Sequence, residues 1–151
     1  MNLKRALLSV LLSLSLLAFV SCASQSTVTP PATPTNIQMA TLSKALADGA
    51  STASKTVIAL RDGGKITQAE TVTVQNYILV ALSTDKAMNA ELVSSDDWPT
   101  QRAKIIQLWA ASGLTAAKAN LSTTAGLVLD TIISVVNQIM ATIGGPTIGG
   151  L

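Results

Sequence analysis

The chain has 151 residues, with 10 basic and 8 acidic side chains and only 12% charged residues, about half the usual share. So small a balance offers no basic patch to neutralise phosphates, which argues against nucleic acid as a partner. The absence of histidine removes the commonest general base and metal ligand, and a single cysteine excludes an intramolecular disulfide or a thiolate metal cluster.

The first segment is a targeting signal. Lys4 and Arg5 form a basic head, and an apolar run over residues 6–20 follows, broken only by Ser9, Ser13 and Ser15. Ser21 is small and directly precedes Cys22, the lone cysteine. This is the layout of a secretory signal peptide. The run Leu17-Ala18-Phe19-Val20-Ser21-Cys22 resembles the lipobox of prokaryotic membrane lipoproteins, with Phe19 where that family most often has Leu. The resemblance implies cleavage before Cys22 and a covalent diacylglycerol and acyl chain on Cys22, with no other cofactor. It also implies a mature protein held to a membrane by two or more chains, which anchor durably where one does not. Ala23-Ser24 lacks the aspartate that retains such proteins at the inner membrane, so the resemblance points to the outer membrane, facing the periplasm, in a Gram-negative host. The alternatives are an ordinary secretory signal with a chance cysteine and a transmembrane anchor. The apolar run is shorter than the ~20 residues a spanning helix needs. Once Lys4 and Arg5 leave with the signal, the remaining basic side chains equal the acidic ones in number.

Residues 23–36 read ASQSTVTPPATPTN and cannot build a core. They form a linker, extended in part by Pro30, Pro31 and Pro34, that either spaces a folded domain from a lipid surface or is a simple disordered tail.

A first helix is expected over residues 37–61, with Asn36 as N-cap. Met39, Leu42, Leu46, Ala50, Ala53, Val57 and Leu60 recur at intervals of three and four. Gly49, Ala50 and Ala53 make the middle of that face small enough for another helix to approach closely. Asp62-Gly63-Gly64 stops the helix.

Thr67 and Glu70 fit a capping box that opens a second helix, running to about Val93. Thr71-Val72-Thr73-Val74 alternates like a strand, but the capping box and the length favour helix. Val74, Ile78, Ala81, Met88 and Leu92 share one side. Asp85 interrupts that row, as a buried contact for Lys118 or Arg102 or as a sign that the row has rotated to the surface.

Ser94-Ser95-Asp96-Asp97-Trp98-Pro99 is the next break. Pro99 suits a first helical turn, and the aspartates suit its positive end. A third helix is expected over residues 99–120, weak at Ser112-Gly113, with Ile105, Leu108, Trp109, Ala116 and Ala119 inward. After a loop or a kink at residues 121–124, a fourth helix is expected over about 125–143. It is the most apolar segment after the signal. Leu129, Ile133, Val136, Met140 and Ile143 form one seam; Val128, Ile132, Val135 and Ile139 form another. Only Asp130, Ser134 and Asn137 make a polar stripe. Such a helix must be covered on several sides. Gly144-Gly145-Pro146 ends it.

The expected fold is therefore all-α: an up-down bundle of about four helices. Residues 1–21 form the signal, 22–36 the lipidated linker, 37–143 the bundle and 144–151 a flexible tail. No catalytic or metal-binding set is expected. Asp96 and Asp97 fall short of the six to eight oxygens a calcium site wants, and are better read as caps. The candidate interaction face comprises Trp98, Trp109, Leu129, Ile133, Val136 and Met140, with Trp109 alternatively in the core. These features suggest a non-catalytic structural or protein-binding module, with a protein partner or self-association. The alternative is a membrane-active lipoprotein that uses helix 125–143, in the manner of the spanin subunits of phage lysis cassettes. Asp130, Asn137 and Gln138 oppose insertion, since a central Asp costs about 2.5–3.5 kcal/mol.

Overall fold

The computed structural model describes residues 32–148. Cys22, the expected signal and the expected linker through residue 31 lie outside the described residues, as do 149–151. The described part is all-α, with α1 at Asn36–Asp62, α2 at Gln68–Leu92, α3 at Trp98–Ala111, α4 at Leu114–Lys118 and α5 at Thr123–Thr142.

Each long helix opens on a side-chain cap. Thr35 and Gln38 form a capping box at α1, one residue before the expected Asn36. Thr67 and Glu70 form the expected box at α2, and the strand-like start of that segment is helix. Asp97 caps α3 by accepting from Thr100 N at 3.1 Å, with Pro99 in the first turn. Ser122 caps α5. The stops are equally local. Gly63 N–H donates to the Ala59 carbonyl oxygen at 2.9 Å, and Gly64 takes φ +67° to turn the chain.

The expected third helix is two helices. Gly113 adopts φ +68°, a left-handed conformation that ends α3 and re-aims the chain into α4. The register changes there, so Leu114 is buried, whereas Ala116 and Ala119 are exposed rather than inward.

The long helices alternate in direction. Ser43 on α1 meets Asp85 and Asn89 on α2, so these two run antiparallel. Arg102, early in α3, reaches the carbonyl oxygen of Ile143 at the end of α5. Glu70, at the start of α2, reaches the Ser122 N–H at the start of α5. α2 packs against all four other helices, and α5 packs against α1, α2 and α4.

The core follows the sequence periodicity. Met39, Leu46, Ala50, Ala53 and Val57 of α1 face inward, as do Val74, Ile78, Ala81 and Met88 of α2. α5 is buried along nine of its 20 residues, the largest share of any long helix described. Its two seams merge into one broad arc, of which Val135 is only partly buried. The small patch on α1 receives this helix: a Cβ on Gly49 would sit 3.9 Å from Ile132 Cδ1.

The expected flexible tail is tied down as far as Ile148. Arg102 donates through Nε to the Ile143 carbonyl oxygen at 2.7 Å, and also binds the Gly144 carbonyl oxygen. Ile148 N–H donates to Asn137 Oδ1 at 2.6 Å. Gly145 passes so close that a Cβ there would meet Met140 Cε at 2.7 Å and Ile106 Cγ1 at 3.2 Å. The glycines end the helix as expected, but they also let the chain fold back onto α3 and α5.

Candidate functional site

The expected interaction face is turned inward. Trp109, Leu129 and Val136 are fully buried, Met140 and Ile133 are nearly so, and all five belong to the core. The cause is the breadth of the apolar arc on α5, which is covered by α1, α2 and α4 together. Trp98 is partly buried and packs on the rim of the core. It stands at the first position of α3, while Trp109 lies deep on the same helix, so the two do not form a shared aromatic platform. Cys22 lies outside the described residues.

A groove of about 470 Å³ runs along α1 and α5. Gly49, Thr52 and Thr56 line one wall, and Leu127, Val128 and Thr131 line the other. No charged side chain lines it. Three of its four threonine hydroxyls are spent on their own helices: Thr52 donates to the Asp48 carbonyl oxygen, Thr56 to Thr52 and Thr131 to Val128, at 3.0, 2.9 and 2.7 Å. Back-bonding of this kind satisfies the hydroxyl locally, so these side chains need no polar partner from a ligand. Leu127 is 62% exposed at the mouth. The groove therefore offers a shallow apolar trough, suited to aliphatic side chains rather than to ions. Periodicity could mark Gly49 and Ala53 as a close-packing site, but it could not show that α5 would cover only part of that face.

Several charged groups hold the helices together. Asp85 is half-buried between α1 and α2. It accepts from Ser43 Oγ at 2.9 Å and Asn89 Nδ2 at 3.1 Å, rather than pairing with Lys118 or Arg102. Burial raises its pKa above the ordinary carboxylate value, while the Ser43 and Asn89 hydrogen bonds partly offset the rise. Lys118 instead pairs with Asp130 at 2.9 Å, tying α4 to α5. Asp96 pairs with Lys104 at 2.6 Å, and Glu91 lies 3.3 Å from the same ammonium. These two carboxylates raise the Lys104 pKa, Asp96 more strongly. The Asp97 pKa is lowered by its hydrogen bonds from Thr100.

Glu70 joins two helix starts. Its Oε2 accepts from Thr67 N at 2.8 Å, and its Oε1 accepts from Ser122 N at 2.9 Å. The hydrogen bonds from Ser122 and Thr67 lower its pKa to about 2. The capping box is visible in the sequence; the link across 52 residues is not. Among the described residues no three acidic or thiol side chains converge as a metal site would require. No family model matches the chain, and comparison with curated proteins and with solved structures gives no match either.

Proposed function

We propose that the chain is a lipid-anchored helical protein of the cell envelope, working as a non-catalytic interaction module. The anchor reading rests on the resemblance of Leu17–Cys22 to the lipobox and on the Ser/Thr/Pro-rich linker after it. In a host with an outer membrane, Ala23-Ser24 favours that membrane, on its periplasmic side. The interaction reading rests on one observation above all, the apolar α1–α5 groove with Leu127 at its mouth. Its natural occupant is a row of aliphatic side chains on a partner helix, laid along α1 from Gly49 to Leu60, about 16 Å of helix. Asp96 and Asp97, the acidic pair closest in sequence to a carboxylate site, are engaged by Lys104 and Thr100, which supports a structural role for both.

A photocrosslinking side chain at position 127, in the full chain expressed in a Gram-negative host, tests the groove. The expected result is a discrete adduct that is absent when the same group stands at Leu79, an exposed apolar position outside the groove. Loss of that adduct on Thr56→Lys, with helicity unchanged, would tie it to the groove. Equal adducts at 127 and 79 would contradict the reading.

A membrane-active role has one observation in its favour. Among the described residues α5 alone is long and apolar enough to cross a bilayer, with a mean hydropathy of 1.5. Half of that stretch is buried in the bundle, and Asp130 is held by Lys118. Insertion would therefore require the bundle to open. Leakage of dye-filled vesicles on adding the purified mature domain would favour this second reading; sealed vesicles would reject it.

A further inference from the structure

One end of the bundle gathers four chain segments. Ser43 pairs with Asp85 and Asn89, which sets the first turn of α1 level with the last turn of α2. Ile37 and Thr142 line one shallow hollow, so the end of α5 lies there too. Arg102 brings the start of α3 to the same place through the Ile143 carbonyl oxygen. The two most exposed large apolar side chains described, Ile37 at 80% and Val93 at 84%, both stand at this end. Trp98, partly buried, opens α3 at the same end.

Ala32, three residues before the Thr35 cap, lies at this end. Ten residue steps separate Cys22 from Ala32, a reach of at most about 33–36 Å when fully extended. An acylated Cys22 would thus keep this end within about 33–36 Å of the lipid, while the opposite end lies a further length of α1 away, 27 residues or about 40 Å. Exposed apolar side chains and a tryptophan at such a surface match what a bilayer interface accepts.

We propose that the end of the bundle bearing Ile37, Val93 and Trp98 rests on the bilayer surface that holds the anchor. The occupant of this patch is lipid, not a second copy of the chain. The proposal rests on the anchor reading above. Its driving force is apolar rather than electrostatic. The end carries Glu91, Asp96 and Asp97 against Lys104 and Arg102, so anionic lipid gives no added attraction.

The test uses the full chain purified from the membrane fraction and reconstituted into phosphatidylcholine vesicles whose acyl chains are brominated near the headgroup. Bromine quenches only nearby tryptophan. The chain has two tryptophans, and Trp109 is fully buried in the core. The expected result is quenched emission that disappears in Trp98→Phe. Quenching should also disappear in the Ile37→Asp/Val93→Asp double variant, which leaves the core intact. It should be the same when a fifth of the lipid is phosphatidylglycerol. Intact mass of the same sample separates two failures. Cys22 without added lipid mass overturns the anchor reading and this proposal with it. Lipidated protein with unquenched Trp98 overturns the docking alone, as does quenching that requires anionic lipid. A dimer in detergent that the double variant dissociates would assign the patch to a second copy, and would also overturn it.

Discussion

Glu70 is the residue on which two helix starts depend. Its carboxylate accepts from Thr67 N in α2 and from Ser122 N at the cap of α5. Glu70→Ala should lower the thermal midpoint and speed hydrogen exchange at both amides. A local cap would affect Thr67 alone. Because its folded pKa is depressed to about 2 from 4.5, its contribution is present above pH 4.5 and is lost as pH falls toward 2. Asp85 has the opposite sign. Its folded pKa is raised, so the folded state binds the proton more tightly than the unfolded chain. That increment is complete below the ordinary value of 3.8 and is lost as pH rises through the raised folded value. Asp85→Asn should therefore stabilise the bundle at neutral pH, with the difference from wild type closing in acid. A gap that widens in acid would contradict the half-buried, charged Asp85. Two glycines make a second contrast. Gly49→Ala meets only Ile132 Cδ1 at 3.9 Å and should stabilise α1 by about 0.5–1 kcal/mol. Gly145→Ala must displace Met140 and Ile106 and should cost about 1–3 kcal/mol. Urea unfolding of both variants checks the pair.

At the scale of elements, α5 decides the fold because its apolar arc can be covered only by several helices at once. Trp109 shows how fully that cover is achieved. It is buried, and its indole N–H has no hydrogen-bond partner among the described residues. Trp109→Ala should cost about 3–5 kcal/mol. Trp109→Phe should cost under about 2 kcal/mol, because it removes a buried donor whose isolation itself costs about 1–3 kcal/mol. Equal costs in chemical unfolding would show that the N–H is satisfied. Much at this scale is legible in the sequence. The α1 face from Met39 to Val57, the Thr67–Glu70 box and the Pro99 start follow from period and capping chemistry. Period alone, however, says which side of a helix is apolar, not what covers it. For that reason Leu129, Ile133, Val136 and Met140 read equally well as a binding face or as core. The Gly113 joint reads as a weak spot, but only its positive φ shows that the register restarts at Leu114. Contacts between distant residues, such as Ser43–Asp85 or Glu70–Ser122, leave no trace in local spacing.

At the scale of the molecule, the described residues form an up-down bundle with most of its charge used in caps and pairs. Its most exposed large apolar side chains gather at the end where the chain arrives. If Cys22 anchors the chain as proposed, that end faces the lipid. The groove along α1 and α5 would then face sideways, parallel to the lipid, within reach of envelope partners. All of this depends on Cys22. The most direct test is the intact mass of the chain recovered from the membrane fraction of a Gram-negative host, beside Cys22→Ser. The account predicts cleavage before Cys22 with diacylglycerol and acyl mass added, and a variant that loses both the mass and the membrane association. An unmodified, soluble wild-type product would contradict it.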